Sequence, residues 1–542
     1  MALPFDALYY PYPARRSVVF ARHGMIASSH PLAAQAGLEI LKRGGNAVDA
    51  AVACAASLTV LEPTANGIGG DAFAQIWHKG KLYGLNSSGP APKLLSLEAL
   101  KKAGHSRLPN YGMLPVTVPG IPAAWAALVD RFGALGLSDV MRPAIAYAEH
   151  GAPVAPVIAD CWAAASSLYA AQKDACFASW FAHFAPRGQA PRAGELLQFP
   201  DTAKSLEAIA SSGARDFYSG KLAERIHAFS EQHGGYLRGD DLAAFTPEWV
   251  EPLKASYNGY EVWELPPNGH GLVALMALRI LDNLHKEQGL PSLDSPQAWH
   301  LRIEALKLAF ADGLAHIADP RKMRIKAEDL LDDSYIAARS KLVSTKAIMP
   351  PPGRSADGGT VYLATADAEG NMVSYIQSNY TGFGSGMLVP GTGIALNNRA
   401  LCFSLDPAHP NCLAPGARPY QTIIPGFLTK NGEPQAAFGV MGAYLQPQGH
   451  LMLISNMLDY GLNPQAALDA PRCRWEEGLR VELESAFPSQ LAEALVRMGH
   501  DMRWGTVGDR RFGRGQLIWR NQEDGVLAGG SESRCDGQIA AW

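Results

Sequence analysis

Residues 355–386 read SADGGTVYLATADAEGNMVSYIQSNYTGFGSG, and the residue in them best suited to chemistry is Thr360, directly behind Gly358 and Gly359. A threonine hydroxyl is a poor nucleophile at neutral pH unless a base stands beside it, and the threonine's own α-amino group is one base that suffices. That amine has a pKa near ~7.7–8.0, so much of it is neutral at physiological pH and no histidine is needed. An internal threonine gains a free amine only if the chain is cut before it. The route open here is attack of the Thr360 hydroxyl on the Gly359 carbonyl, followed by hydrolysis of the ester. Glycine lacks a Cβ and tolerates the strained backbone such an attack demands. A glycine turn feeding a hairpin explains the same letters, and by themselves the residues favour that plain reading.

The surrounding elements must hold such a junction in place. IMPPPGRSADGG (348–359) has three prolines, three glycines and no apolar periodicity, the composition of an exposed loop. TVYLATAD and NMVSYIQSNY then read as two strands around the turn DAEGN, with further strands and turns after them. From residue 30 to about 320 the pattern is mostly helical. HPLAAQAGLEILKRGGN opens with Pro31 and stops at Gly44-Gly45. DSPQAWHLRIEALKLAFADGLAHIADP has Asp294 or Ser295 as cap, Pro296 in its first turn, and Ile303, Leu306 and Phe310 on one face. Between such helices, DAFAQIWHKGKLYGLNSSG is a hairpin turning at Lys79-Gly80. Helices early and strands late fit two domains or one layered α+β structure, and periodicity does not choose between them.

Bulk properties narrow the function classes. The chain has 542 residues, 47 % hydrophobic and 18 % charged, which is ordinary globular composition. A formal net charge of −4 gives no basic footprint for nucleic acid. The most apolar stretch, AVDAAVACAASLTVL, is interrupted by Asp49 and too short to span a bilayer, so it reads as a buried helix and no membrane partner is expected. MALPFDALYYPYPARRSVVF lacks the pattern of a secretory leader. Seven scattered cysteines without C-x-x-C spacing fit a reducing, cytoplasmic setting. The 15 histidines form no metal-ligand spacing, and neither GFGSGM nor NGIGGDAF completes a nucleotide-binding fingerprint. No metal site and no cofactor are expected. Asp71, in NGIGGDAF, reads as a buried, backbone-bonded aspartate before it reads as a site residue.

GGTVYLATADAEGNMVS, GFGSGMLVPGTGIALNNR, RPYQTIIP, FGVMGA and DYGLNPQAALDAPR stand in the order and spacing of the γ-glutamyltranspeptidase family. GMIASSHPLAAQAGLEILKRGGNAVDAAVA, NGIGGDAF and VPGIPAAW resemble the same family upstream, so the similarity runs from about residue 24 to the C-terminal GGSESRCDGQ. This resemblance implies an α+β fold of the N-terminal nucleophile (Ntn) hydrolase type, a four-layer αββα sandwich. It further implies one precursor cut between Gly359 and Thr360 into a large piece, 1–359, and a small piece, 360–542, that remain a single globule. The family's nucleophile falls on Thr360. Its second hydroxyl residue, near the nucleophile's amine, falls on Ser378. The Gly-Gly pair whose N–H groups form the oxyanion hole falls on Gly442 and Ala443; alanine keeps its N–H. Without the resemblance, MGAY reads as a turn between core strands.

Positions that read the substrate depart from the family pattern. The aspartate that grips an α-ammonium becomes Cys402, the neighbouring glutamine Arg399, the asparagine Tyr380, and the paired serines Gln421 and Thr422. No arginine for an α-carboxylate is found near SSGPAPKLLSLEAL, which offers only Lys93. An ammonium without a carboxylate would be left unpaired, which argues against γ-glutamyl recognition. Arg399 offers instead a fork of donors for a carboxylate at the far end of an acyl chain, although a purely structural arginine fits the sequence as well. The combination is similar to the family's divergent branch of glutathione hydrolase-like proteins, cephalosporin-type glutaryl acylases and oxamate amidohydrolase. The expected substrate is a small-molecule amide with a carboxylate-bearing acyl group. A true glutathione hydrolase or γ-glutamyltransferase, and an uncut binding or scaffold protein, are the alternatives; the intact Gly-Gly-Thr junction and Ser378 speak against the second. A homo-oligomer is left open.

Overall fold

Alternation along two strands dictates the centre of the fold. In the strand Gly359–Asp367, Val361 and Leu363 pack to one side among buried helices, while Tyr362 and Ala364 pack to the other. The next strand, Met372–Tyr380, splits the same way, with Val373 and Tyr375 opposed to Met372 and Ile376. Successive side chains of a strand point to opposite faces, so a strand with apolar residues at both parities must be covered twice. Here one cover is helical and the other is a second sheet.

These statements come from a computed structural model, which describes residues 16–172, 175–349, 359–506 and 508–542. The expected loop over 348–359 lies outside the described residues from Pro350 to Gly358, as does the stretch 1–15 on which the leader reading rests.

Two seven-stranded sheets carry the architecture. One runs in the order Val19–Ala21, Leu527–Ser531, Arg514–Arg520, Glu433–Met441, Gly426–Lys430, Tyr260–Glu264, Leu253–Tyr257. The other runs Gln538–Ala541, Gly24–Ser28, Gly359–Asp367, Met372–Tyr380, Asp71–His78, Lys81–Ser87, Glu248–Val250. Every pairing within them is antiparallel. Residues before and after position 359 each contribute seven strands, and both groups enter both sheets, so the shift from helix-rich to strand-rich sequence marks no boundary in space.

Facing residues such as Met25, Phe73, Tyr362 and Ile376 from one sheet meet Phe427, Ala437, Met441 and Ile518 from the other in a dry core. The helix Ala47–Leu61 covers the outer face of the Gly359–Asp367 sheet; all of its residues are buried, including Asp49, whose carboxylate accepts the N–H groups of Asn46, Ala134 and Leu135. Helices Gly271–Gln288 and Gln446–Leu458 cover the outer face of the other sheet, in one buried cluster with Leu428, Phe438 and Val440, and Pro296–His316 packs on those two helices. The long helix starts at Pro296 with Ser295 as its cap, accepting from the Ala298 N–H, which decides between the two candidates. Lys79 and Gly80 turn their hairpin with φ of 49° and 79°, the left-handed pair a two-residue hairpin needs. No helix of the described residues is long and apolar enough to cross a membrane, and none of the seven cysteines is in a disulfide.

Candidate active site

The strand hairpin brings Thr360 and Ser378 together by a break in its own register. Gly359 pairs with Tyr380 and Val361 with Gln377, so the second strand carries one residue more than the first between these pairs. Such a bulge re-aims side chains, and here it sets the Thr360 hydroxyl 3.3 Å from Ser378 Oγ, as donor. Ser378 passes its own proton to the Gly359 carbonyl at 2.5 Å and accepts the Tyr380 N–H at 2.8 Å. One serine hydroxyl therefore touches both the candidate nucleophile and the carbonyl that it would attack. Gly359 has no room for a side chain: a Cβ would stand 2.7 Å from the Gly382 nitrogen and 3.2 Å from Ala65 Cα. Close backbone approach, not an unusual φ, is the reason for glycine at this position. Gly358 lies outside the described residues.

The turn at Gly442–Ala443 approaches from the opposite sheet. Gly439 packs against the Tyr362 ring, and the Ser374 hydroxyl donates to Phe438 O, which sets Glu433–Met441 across from Gly359–Asp367. The turn follows directly on Met441, and Ala443 shares a buried apolar cluster with Tyr380 at the end of the hairpin. Gly442 has φ 135° and Ala443 φ 49°, a left-handed conformation that costs an alanine roughly 1–2 kcal/mol. The turn leads into a helix, Gln446–Leu458, and not into another strand as the plain reading of MGAY supposes. Tyr380, at φ 80°, is a second strained residue beside the hairpin's end. Strain of this kind persists only where the surroundings over-determine it.

Asp71 stands opposite Ser378 in the neighbouring strand. It accepts the Gly89 N–H, as a backbone-bonded aspartate should, but it also holds Arg399 Nε and Gln421 Nε2, each at 3.1 Å. Asp71 and Arg399 are both fully buried. Burial pushes the Asp71 carboxyl upward, against the pull of the Arg399 charge and its hydrogen bonds. The expected fork of free donors is thereby reduced: Arg399 Nη1 donates to Thr422 Oγ1 at 2.8 Å and lies 3.9 Å from Cys402 Sγ, leaving Nη2 without a partner. The guanidinium also lies 4.6 Å from the Tyr380 ring centre. Burial raises the Cys402 thiol, opposed by Arg399, so the position carries no anion near neutrality. Lys93 is exposed, and its main-chain N–H is held by Asp241.

Sequence reasoning passed over His270, Tyr420 and Tyr444. The His270 backbone N–H donates to Gln421 O, its ring meets Tyr420 and Tyr444 edge-on at 5.5 and 6.0 Å, and those two tyrosines stack at 5.8 Å. Burial, with His450 and Arg399 adding to it, holds the imidazole at a pKa of about 3, hence neutral. Tyr444 follows the strained turn and Tyr420 precedes Gln421, so adjacency to expected site residues was the available signal.

A second polar cluster lies elsewhere. His300 and His500 share a 2.8 Å hydrogen bond beside Glu304, a grouping with metal-ligand chemistry that no sequence spacing announced. The ammonium of Lys307 is 2.7 Å from Glu304 and already serves as its cation, and His300 Nε2 is bonded to Ser344 O.

The family model described as Gamma-glutamyltranspeptidase matches residues 33–542. The glutathione hydrolase-like YwrD proenzyme of Bacillus subtilis is 38 % identical over 95 % of this chain and 97 % of its own length. The oxamate amidohydrolase proenzyme of Klebsiella pneumoniae is 34 % identical over 96 % and 98 %. Among solved structures, cephalosporin acylase from Bacillus halodurans superposes with a TM-score of 0.94 at 55 % identity, covering 99 % of each chain.

Proposed function

The chain belongs to the gamma-glutamyltranspeptidase family and is a hydrolytic enzyme of the Ntn type; from that premise we propose that it is a self-processing amidohydrolase whose nucleophile is Thr360 and whose substrate carries a carboxylate on its acyl group. The proposal includes the four-layer αββα arrangement, supported by helices on the outer faces of two sheets whose inner faces share a core. It also includes division into 1–359 and 360–542. The observation that carries it is the shared Ser378 hydroxyl between Thr360 Oγ and Gly359 O.

In maturation, Thr360 Oγ attacks the Gly359 carbonyl carbon while the Ser378 hydroxyl supports the oxygen on which charge develops. The C–N bond breaks, the nitrogen takes a proton, and the chain continues through an ester at Thr360. Water then cleaves that ester to a Gly359 carboxylate and a free Thr360 with its α-amine. In turnover the amine takes the Thr360 hydroxyl proton, Oγ attacks the substrate amide, and the N–H groups of Gly442 and Ala443 face the tetrahedral oxyanion. The amine product leaves with a proton, and water releases the acyl group.

Substrate class is read from the far end of the site. Arg399 Nη2 is a buried charged donor without a partner, and an acceptor such as a carboxylate completes it. Asp71, the carboxylate paired to Arg399, is already engaged by three donors, and Cys402 supplies no anion, so an α-ammonium finds no counter-ion among these groups. Relatives named cephalosporin acylase and oxamate amidohydrolase support the same class. The relative named glutathione hydrolase-like keeps a γ-glutamyl reading as the competitor. A denaturing gel and an amide panel test the proposal: the wild type should give two fragments and Thr360→Ala a single 58.0 kDa chain. The processed enzyme should prefer glutaryl or oxamate-type amides to γ-glutamyl amides. An intact wild-type chain that still hydrolyses amides would remove Thr360 from its role.

A further inference from the structure

Beyond Arg399, three more buried polar atoms near the same corner have no partner: the Tyr420 hydroxyl and both ring nitrogens of His270. Both residues are nearly or wholly inaccessible, at 3 % and 0 % exposure. The main chain at Thr422 approaches the imidazole without completing a bond of normal geometry. Buried polar groups are almost always hydrogen-bonded, and each one left bare costs free energy. Several bare groups in one place therefore mark either a defect or a seat that a ligand completes.

Connectivity brings them together. Thr422 binds Arg399 Nη1, and Tyr420 lies two residues before it. His270 is tied by its backbone to Gln421 between them, and its ring contacts Tyr420 edge-on. Tyr444 stacks on Tyr420 directly after the Gly442–Ala443 turn. The aromatic pair thus spans from the oxyanion turn to the guanidinium, the path an acyl chain would follow from its carbonyl to its far end. The free groups are mostly donors: an arginine nitrogen, a phenolic O–H and the one N–H of a neutral imidazole. Arg399 is already balanced by Asp71, so the seat answers to hydrogen-bond acceptance as well as to charge.

We propose that His270 and Tyr420 are specificity-determining residues that, with Arg399 Nη2, hold the distal carboxylate of the acyl group. This rests on the carboxyacyl reading above and extends it to two residues that are not among the substrate-reading positions carried over from the family. The neutral imidazole gives one N–H to a carboxylate oxygen, and Tyr420 gives its hydroxyl to the same group.

The test uses processed enzyme and two probes, glutaryl p-nitroanilide and its uncharged counterpart pentanoyl p-nitroanilide. The readout is the ratio of their kcat/KM values. Tyr420→Phe removes one hydrogen, and His270→Ala is accompanied by His270→Gln, which restores a donor of similar reach. In the wild type the ratio should favour the glutaryl probe. Tyr420→Phe and His270→Ala should each lower it about ten- to a hundredfold, the usual worth of a hydrogen bond to a charged group, through KM more than kcat, and His270→Gln should recover part of the loss. A wild type that prefers glutaryl with variants that keep the preference overturns this assignment and leaves the carboxyacyl reading standing. A wild type without the preference overturns both. If His270→Ala fails to process, Tyr420→Phe and His270→Gln decide the matter.

Discussion

The proposed nucleophile end and the proposed recognition end of this site are built on opposite principles. Around Thr360 the two hydroxyls that would react are already engaged: that of Thr360 is bonded to Ser378, and that of Ser378 to Gly359 and Tyr380, with the neighbouring Asn379 amide left bare. Around Arg399 contacts are missing, with bare donors on Arg399, Tyr420 and His270. The first partner of Thr360 is the protein's own backbone, so that end is complete in the uncut chain. The partner of the other end comes from outside, so that end is left open. A site can thus be assembled for self-cleavage and still wait for its substrate.

The largest test of this contrast is Arg399→Ala. It leaves Asp71 buried without a counter-ion and should cost about 3–5 kcal/mol of stability, read as a drop in unfolding midpoint of the uncut Thr360→Ala background. The paired change Asp71→Asn with Arg399→Met should recover most of that stability while glutaryl selectivity stays lost. Recovery of both would show the guanidinium to be structural only.

Next in size is Ser378→Ala, which removes the donor to the Gly359 carbonyl. Loss of one donor to a developing oxyanion typically costs a factor of ~100–1000, so self-cleavage timed on freshly folded protein should slow by about that much, and Ser378→Thr should keep most of it. Cleavage at the wild-type rate would break the account of the satisfied end. Gly359→Ala comes third: its Cβ must displace the Gly382 backbone, and overpacking of this kind costs about 1–3 kcal/mol. Slower processing with glutaryl selectivity intact in the fraction that matures is the expected pattern.

Acidification gives the mildest effect and separates chemistry from fold. Activity should fall as pH drops through the Thr360 amine, near ~7–8. His30 and His183 are held by burial at about 4 and His270 at about 3, below the ordinary 6.5. Between those values the unfolded chain binds protons that the folded chain refuses, so stability declines as pH falls below about 6.5. Melting curves at several pH values should be nearly flat above 7 and drop by a few degrees per unit below 6.5. Activity and stability falling together would move the base from the amine to a group tied to folding.

What the sequence disclosed follows chain distance. Caps, turns and apolar alternation are local signals, so the hairpin that carries Thr360 and Ser378 was legible in its own residues, whereas the pairing of those two as a site came from the family resemblance. Asp71 and Arg399 are 328 positions apart, and nothing local told the aspartate that its counter-ion lay so far along the chain. The same distance hid the reduction of Arg399's fork to one nitrogen. His270 carried no motif at all; its place depends on Gln421 and Tyr420 arriving from a remote segment. Division into early helices and late strands left two domains open because strand-forming segments before residue 320 are separated by long helices, yet they supply three strands of one seven-stranded sheet and four of the other.

The strand Gly24–Ser28 lies between Gly359–Asp367 and Gln538–Ala541, which from Thr360 onward belong to the far side of the proposed cut. Once Gly359 and Thr360 are parted, neither piece possesses a whole sheet, and the loop closure that first aligned these strands has become a meeting of two molecules. The mature enzyme is then a kinetic object: it persists because it does not open, not because it can return. Heat or denaturant that unfolds it should destroy it permanently, while the uncut Thr360→Ala chain keeps a path back. With the proposed cut made, durability is decided once, at birth, by the single-chain precursor.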